Sequence, residues 1–355
     1  MRNHYEVLDA LRFIAAAGVL LFHLAHWLNF RWFMPNAGIA VDFFFCLSGF
    51  VIVIAYHRKI TSPSDLLPFF RIRILRLWPM IILATLISAS YLLAKGFMSA
   101  EAPTASMVLA AAGLSLVSVP YMHAPESLGG LQVFPLNGPQ FSLFFELFVN
   151  VVWAVILITF SRRSYLAICI VLVLLSVACL AYGYGGDTTE NFWLGFPRVT
   201  GSFFLGILAG NLFKKDQAPT IWSQRLFWVL LLLTVLIAVL PIPLGRIATL
   251  WTIAASPFLV ILGARQKLPS RLNSAATFSG TLSYPIYTLH YPLFCWLNGI
   301  FVMIVQSQKG WLEAAILFPM IIAICYVVTI MIELPVMRML RRVNAPAGKS
   351  VTENP

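Results

Sequence analysis

Residues 8–27, "LDALRFIAAAGVLLFHLAHW", decide the fold. The stretch has the length and apolarity of a bilayer-crossing helix, which needs about 20 residues, yet it carries Arg12 and His23. Similar runs recur along all 355 residues: 60% of the chain is hydrophobic, 10% is charged, and the mean hydropathy is +0.87. No water-soluble domain of this length has that composition. The expected fold is all-α, a polytopic membrane helix bundle. The formal charge of +11 sits at the ends of apolar runs, where basic residues hold topology, so it does not indicate a nucleic-acid partner.

Hydropathy and length place about ten transmembrane helices, at about 7–29, 37–57, 71–94, 137–160, 164–184, 197–213, 226–241, 247–264, 278–305 and 311–334. A further apolar run, 105–120, reads as a re-entrant or interfacial segment, because counting it as a span would put Arg162 and Arg163 outside. With ten spans, eighteen of the 24 lysines and arginines fall on the cytoplasmic side and five on the outer side, leaving Arg12 in the membrane. Both termini are then expected inside. Residues 1–340 form one membrane-embedded domain and 341–355 a short polar cytoplasmic tail. The first apolar run lacks a small-residue cleavage pattern and is expected to remain as a helix. Cys46, Cys169, Cys179, Cys295 and Cys325 all lie in apolar segments without C-x-x-C spacing, which points to packing and to no metal site.

The ionisable residues within spans carry the chemistry, since each is costly in hydrocarbon. Arg12 and His23 are three helical turns apart on one face, separated by about 16 Å. Asp42, in "VDFFFCLSGF", lies about one turn inside the outer end of the second span, within reach of His23. Such a carboxylate could orient a basic imidazole, or it could simply favour the helix N-terminus. In "FFRIRILRLWPM", Arg71, Arg73 and Arg76 crowd the cytoplasmic start of the third span, either as a topological anchor or as a guanidinium clamp for phosphate. "FSLFFELFVNVVW" sets Ser142 and Glu146 one turn apart, and a carboxylate that deep requires a partner. "SYPIYTLHYPLF" adds Tyr284 and His290, and Glu333 reads as an interfacial cap.

In order and spacing these segments resemble the acyltransferase type 3 family of integral membrane acyltransferases over nearly the whole chain. The family's "LDxLRxxAxxxVxxxH" appears as Arg12 to His23, and its "VDxFFxLSGF" as "VDFFFCLSGF". Its R-x-x-R falls on Arg73 and Arg76, its "SLxxE" on Ser142 to Glu146, and its "SYxxYxxH" on Tyr284 to His290. Phe141 departs from the pattern, standing where the family often has Trp. Many relatives also carry an esterase-like domain or an additional terminal helix; this chain is expected to be the stand-alone form.

The resemblance implies transfer of an acyl group, most often acetyl, from cytoplasmic acyl-CoA to a hydroxyl of a carbohydrate or lipid-linked glycan, in a bacterial inner membrane. Acyl-CoA is then a co-substrate, and no tightly bound cofactor or metal is expected. On this reading Arg12, Arg71, Arg73 and Arg76 hold acyl-CoA. His23, Asp42 and Glu146 are catalytic, with Ser142, Tyr284 and His290 supporting them or the acceptor. His23 could deprotonate the acceptor or carry the acyl group itself. A proton-coupled transporter or exporter is the competing class, but the chain lacks the matching halves that such a protein would show. A hydrolase with Ser48 or Ser142 as nucleophile lacks a G-x-S-x-G elbow.

Overall fold

Backbone polar groups in hydrocarbon find partners only within the chain, so each long apolar segment closes its own hydrogen bonds as a helix. The computed structural model describes residues 5–98, 102–214 and 217–343. The polar tail from residue 344 onward lies outside the described residues, as do Arg2, Lys215 and Lys349 of the charge asymmetry. Among the described residues there is no strand, and ten helices are long and apolar enough to cross a membrane.

The bundle runs α1 (Glu6–Trp27), α2 (Ala40–Tyr56), α3 (Leu66–Gly96), α4 (Ala105–Leu116), α5 (Gln140–Thr159) and α6 (Arg162–Cys179). It continues through α7 (Gly195–Leu212), α8 (Ile221–Val239), α9 (Arg246–Gly263), α10 (Ser270–Val305) and α11 (Trp311–Val328). A π-helical turn, Thr329–Glu333, leads from α11 into α12 (Leu334–Val343). The helix α10 starts eight residues before the expected 278.

With 12 residues, α4 is about 18 Å long and falls short of the roughly 30 Å hydrocarbon core. Its buried face, Val108, Ala111 and Ser115, packs on α3. Ser115 bonds Thr85 at 2.9 Å and donates to Gln140 Oε1 at 2.7 Å, while Gln140 Nε2 donates back to the Ser115 carbonyl at 2.7 Å. Gln140 opens α5, so α4 is fastened between the second half of α3 and the start of α5. Reporters fused after Lys59 and after Arg163 are therefore expected to read the same, cytoplasmic side. Opposite readings would show that α4 crosses.

The helices α2 and α7 pack closest because two glycines let their backbones touch. A Cβ on Gly49 would collide with the Phe203 carbonyl, and one on Gly206 with the Cys46 carbonyl. Around this contact lies the largest core cluster, with Trp153, Phe145, Phe203 and Phe204 at its centre. A second cluster joins α1, α10 and α11 through Leu20, Leu24, Ile286, Leu289 and Ile321. Pro292 withdraws the amide that would have bonded the Thr288 carbonyl in α10, and Asn137 Nδ2 takes that place at 3.1 Å. That bond ties the loop before α5 to the helix that carries His290.

Candidate active site

Three helices bring the charges of the apolar segments together. Arg12 of α1, Arg73 and Arg76 of α3, Ser48 of α2, and Ser142 and Glu146 of α5 line one cavity of about 120 Å³, closed by Ser283, Tyr284 and Tyr287 of α10. Arg12 and Arg73 lie near the starts of their helices, about 9 to 11 Å in, so the cavity sits toward the end of the bundle where α1 and α3 begin. Aromatic and aliphatic side chains, among them Phe44, Phe45, Leu77 and Leu143, form the rest of its wall.

Each arginine is held differently. Arg12 Nη1 lies 3.6 Å from Asp9 Oδ1, one turn back on α1. Arg73 is buried, and its Nη2 donates to Glu146 Oε1 at 2.7 Å while its Nε has no partner. Arg76 makes no hydrogen bond or ion pair among the described residues, so its five donors remain available to an anion in the cavity. Ser48 Oγ also donates to Glu146 Oε1, at 2.6 Å. Glu146 thus has its partners and stands in the cavity instead of facing lipid. Tyr284 donates to the Leu77 carbonyl at 2.6 Å, fixing α10 against α3.

Tyr287 lines the cavity; its hydroxyl is 2.6 Å from Ser142 Oγ and its ring meets Phe44 edge-on at 5.5 Å. His290 lies one turn further along α10, with ring centroids 6.2 Å from Tyr287 and 5.1 Å from His23. His23 also stacks on Trp27 at 4.9 Å. The carbonyl of Ile286 can only accept, so His290 Nδ1, 3.0 Å away, carries the proton and Nε2 keeps a lone pair. That Nε2 is buried without a partner. His23 makes no hydrogen bond among the described residues, which leaves its imidazole available to an incoming hydroxyl.

The expected contact between His23 and Asp42 does not form. Asp42 is 1% exposed, and its two oxygens are taken by Arg198, with Nε and Nη2 each at 3.1 Å. Tyr184 donates a further bond to Asp42, and Ser202 Oγ lies 3.5 Å from it. Arg198 also donates to the Gly185 carbonyl and sits 3.9 Å above the Tyr184 ring. Burial pushes the Tyr184 hydroxyl well above its ordinary range, so it remains a proton donor to the carboxylate. The carboxylate is therefore committed to joining α2, α7 and the loop between α6 and α7.

Two further placements differ from expectation. Arg71 is exposed and lies outside the cavity lining, because it sits two positions from Arg73 and so on another face of α3. Glu333, expected as an interfacial cap, is 7% exposed in the π-helical turn, has a carboxylate oxygen without a partner, and faces the charge of Arg76. Arg198 and Tyr184 are not marked as site residues by the sequence, whereas Tyr287 is the second tyrosine of the "SYxxYxxH" pattern. Arg198 reads there as an outer anchor at the edge of its span, and only its helical position, one turn inside α7, signals otherwise. No group of three or more His, Cys, Asp or Glu side chains among the described residues could hold a metal.

A sequence profile described as an acyltransferase domain matches residues 5–330 of the chain. "Protein 2 in picA locus" from Rhizobium radiobacter is 30% identical over 158 residues, which is 43% of this chain and 82% of that protein. No solved structure matches.

Proposed function

The chain belongs to the acyltransferase type 3 family, and on that premise we propose that it moves an acyl group, acetyl in the first instance, from acyl-CoA to a hydroxyl of a carbohydrate or lipid-linked glycan. The observation that carries this reading is the cavity in which Arg12, Arg73 and Arg76 converge with one carboxylate, Glu146, among its lining residues. Guanidinium forks match phosphate oxygens bidentately, and Arg76 is uncommitted. The CoA phosphates would lie at the arginine end, with the pantetheine arm running along the apolar wall toward Tyr287.

The arginine end is where α1 and α3 begin, and the excess of basic residues at that end supports a cytoplasmic orientation, in a bacterial inner membrane, with both termini inside. His23 lies about 6 Å from the far end of α1. There it would accept the proton of the acceptor hydroxyl, with His290 as its buried neighbour. Tyr287 lines the donor cavity and neighbours His290, so on this reading its hydroxyl leaves Ser142 as the acyl group passes toward His23. Glu146 anchors Arg73, and Tyr284 sets α10 against the donor cavity. Asp42 contributes through the Arg198 network that holds α2 in place, and the chemistry needs neither a metal nor a bound cofactor.

Arg76→Ala tests the donor site. A charge-assisted hydrogen bond contributes about 1.5 to 3 kcal/mol, so this variant is expected to bind acyl-CoA about ten-fold more weakly or worse by calorimetry. Normal affinity would place the phosphates elsewhere. Arg71→Ala, altering a side chain outside the cavity, is expected to bind as the parent protein does.

A further inference from the structure

Several serines in these apolar helices bond back to a carbonyl one turn earlier, Ser142 to Pro139, Ser279 to Ala276 and Ser283 to Gly280, while Ser88, Ser115 and Ser202 donate to other elements. Ser48 is of the second kind: its hydroxyl points away from its own helix and donates to Glu146 Oε1 at 2.6 Å. The same oxygen accepts from Arg73 Nη2 at 2.7 Å. A hydroxyl, a carboxylate within hydrogen-bond reach, and a third group orienting that carboxylate form the arrangement of an activated nucleophile. All three residues line the donor cavity, and the buried Arg73 Nε–H beside them has no other acceptor.

We propose that Ser48 carries the acyl group as a serine ester between donor and acceptor, a role that rests on the acyl-CoA reading above. In the first half-reaction the Ser48 oxygen adds to the thioester carbonyl as its proton passes to Glu146. Arg73, through its uncommitted Nε–H, stabilises the resulting oxyanion. The C–S bond breaks, CoA leaves as the thiolate, and the ester to Ser48 is formed. In the second, His23 takes the proton of the acceptor hydroxyl, whose oxygen attacks the ester carbon. The Ser48 oxygen leaves and recovers its proton from Glu146, and the His23 proton passes to water, matching the one that the thiolate takes up. Splitting the transfer in this way lets CoA depart before Tyr287 opens toward the acceptor side.

The test uses the full-length His23→Ala variant, which on this account accepts the acyl group and cannot pass it on. Incubated with labelled acetyl-CoA, it is expected to release about one equivalent of CoA and to show an acetyl mass on the peptide containing Ser48. Ser48→Ala is expected to lose label and burst, with turnover about a hundred-fold lower or less and acetyl-CoA affinity unchanged. Ser48→Cys guards against misfolding of the alanine variant: it is expected to hold the acetyl group as a thioester that neutral hydroxylamine removes. Acetyl-CoA binding without label on residue 48, label on His23 in the parent protein, or undiminished turnover in Ser48→Ala would overturn the relay while leaving the donor site intact. Failure of the parent protein to bind acetyl-CoA would overturn the functional reading, and the relay with it.

Discussion

His23→Ala is expected to lower acyl transfer by about 10² to 10⁴ while leaving acyl-CoA affinity within about two-fold, because general-base catalysis contributes on that scale and the ring stands outside the donor cavity. His23 packs against the rings of Trp27, His290 and Phe22, and among the described residues no group hydrogen-bonds its nitrogens. Removing the imidazole therefore costs the fold little and the chemistry much. Turnover with a labelled donor, measured beside calorimetry, separates the two effects. A variant that keeps its rate would show that the acceptor loses its proton elsewhere, and one that loses acyl-CoA binding would place His23 in the donor site.

Arg198→Ala is expected to be the most destabilising single change in the bundle. It leaves Asp42, 1% exposed, without either of its guanidinium bonds, and breaking one side of a buried ion pair costs about 3 to 5 kcal/mol. Since the pair joins α2 to α7 beside the glycine contact of Gly49 and Gly206, the loss should spread to Ser48 on the same helix. Thermal unfolding in detergent reads the effect. The double variant Asp42→Asn with Arg198→Met is expected to recover most of the loss, because no uncompensated charge then stays buried. An Arg198→Ala protein that unfolds with the parent would show that the pair is not structural.

Much of this arrangement is legible in the sequence. The ten spans follow from bilayer thickness, and α4, at 12 residues, is too short to be an eleventh. The convergence of Arg12, Arg73, Arg76 and Glu146 follows from the cost of a charge in hydrocarbon, which drives such groups toward a shared cavity. Lateral neighbours are less legible. Helix rise gives the depth of Asp42 and His23, but which helix faces Asp42 depends on the glycine contact that brings α7 against α2, and no periodicity announces it. Arg198 is hidden for the same reason, since a basic residue near a span end has an ordinary topological explanation. Helix rise sets Arg12 and His23 three turns apart on α1, but only Arg12 lines the donor cavity, while His23 packs on Trp27 and His290. Ser48 reads in the sequence only as a serine without a nucleophile elbow; its partner Glu146 follows from the direction of its hydroxyl, which is a property of packing.

Acyl-CoA is here the proposed donor and a hydroxyl-bearing glycan the proposed acceptor. The most direct test of this assignment reconstitutes the purified protein in lipid vesicles with acetyl-CoA labelled in the acetyl group and a glycan acceptor, then follows the label. Stoichiometric release of CoA is expected, with the label recovered as a base-labile ester on the acceptor, lost in His23→Ala and weakened in Arg76→Ala. Label that remains on CoA, or that appears only as free acetate with no ester on the acceptor, would contradict the assignment.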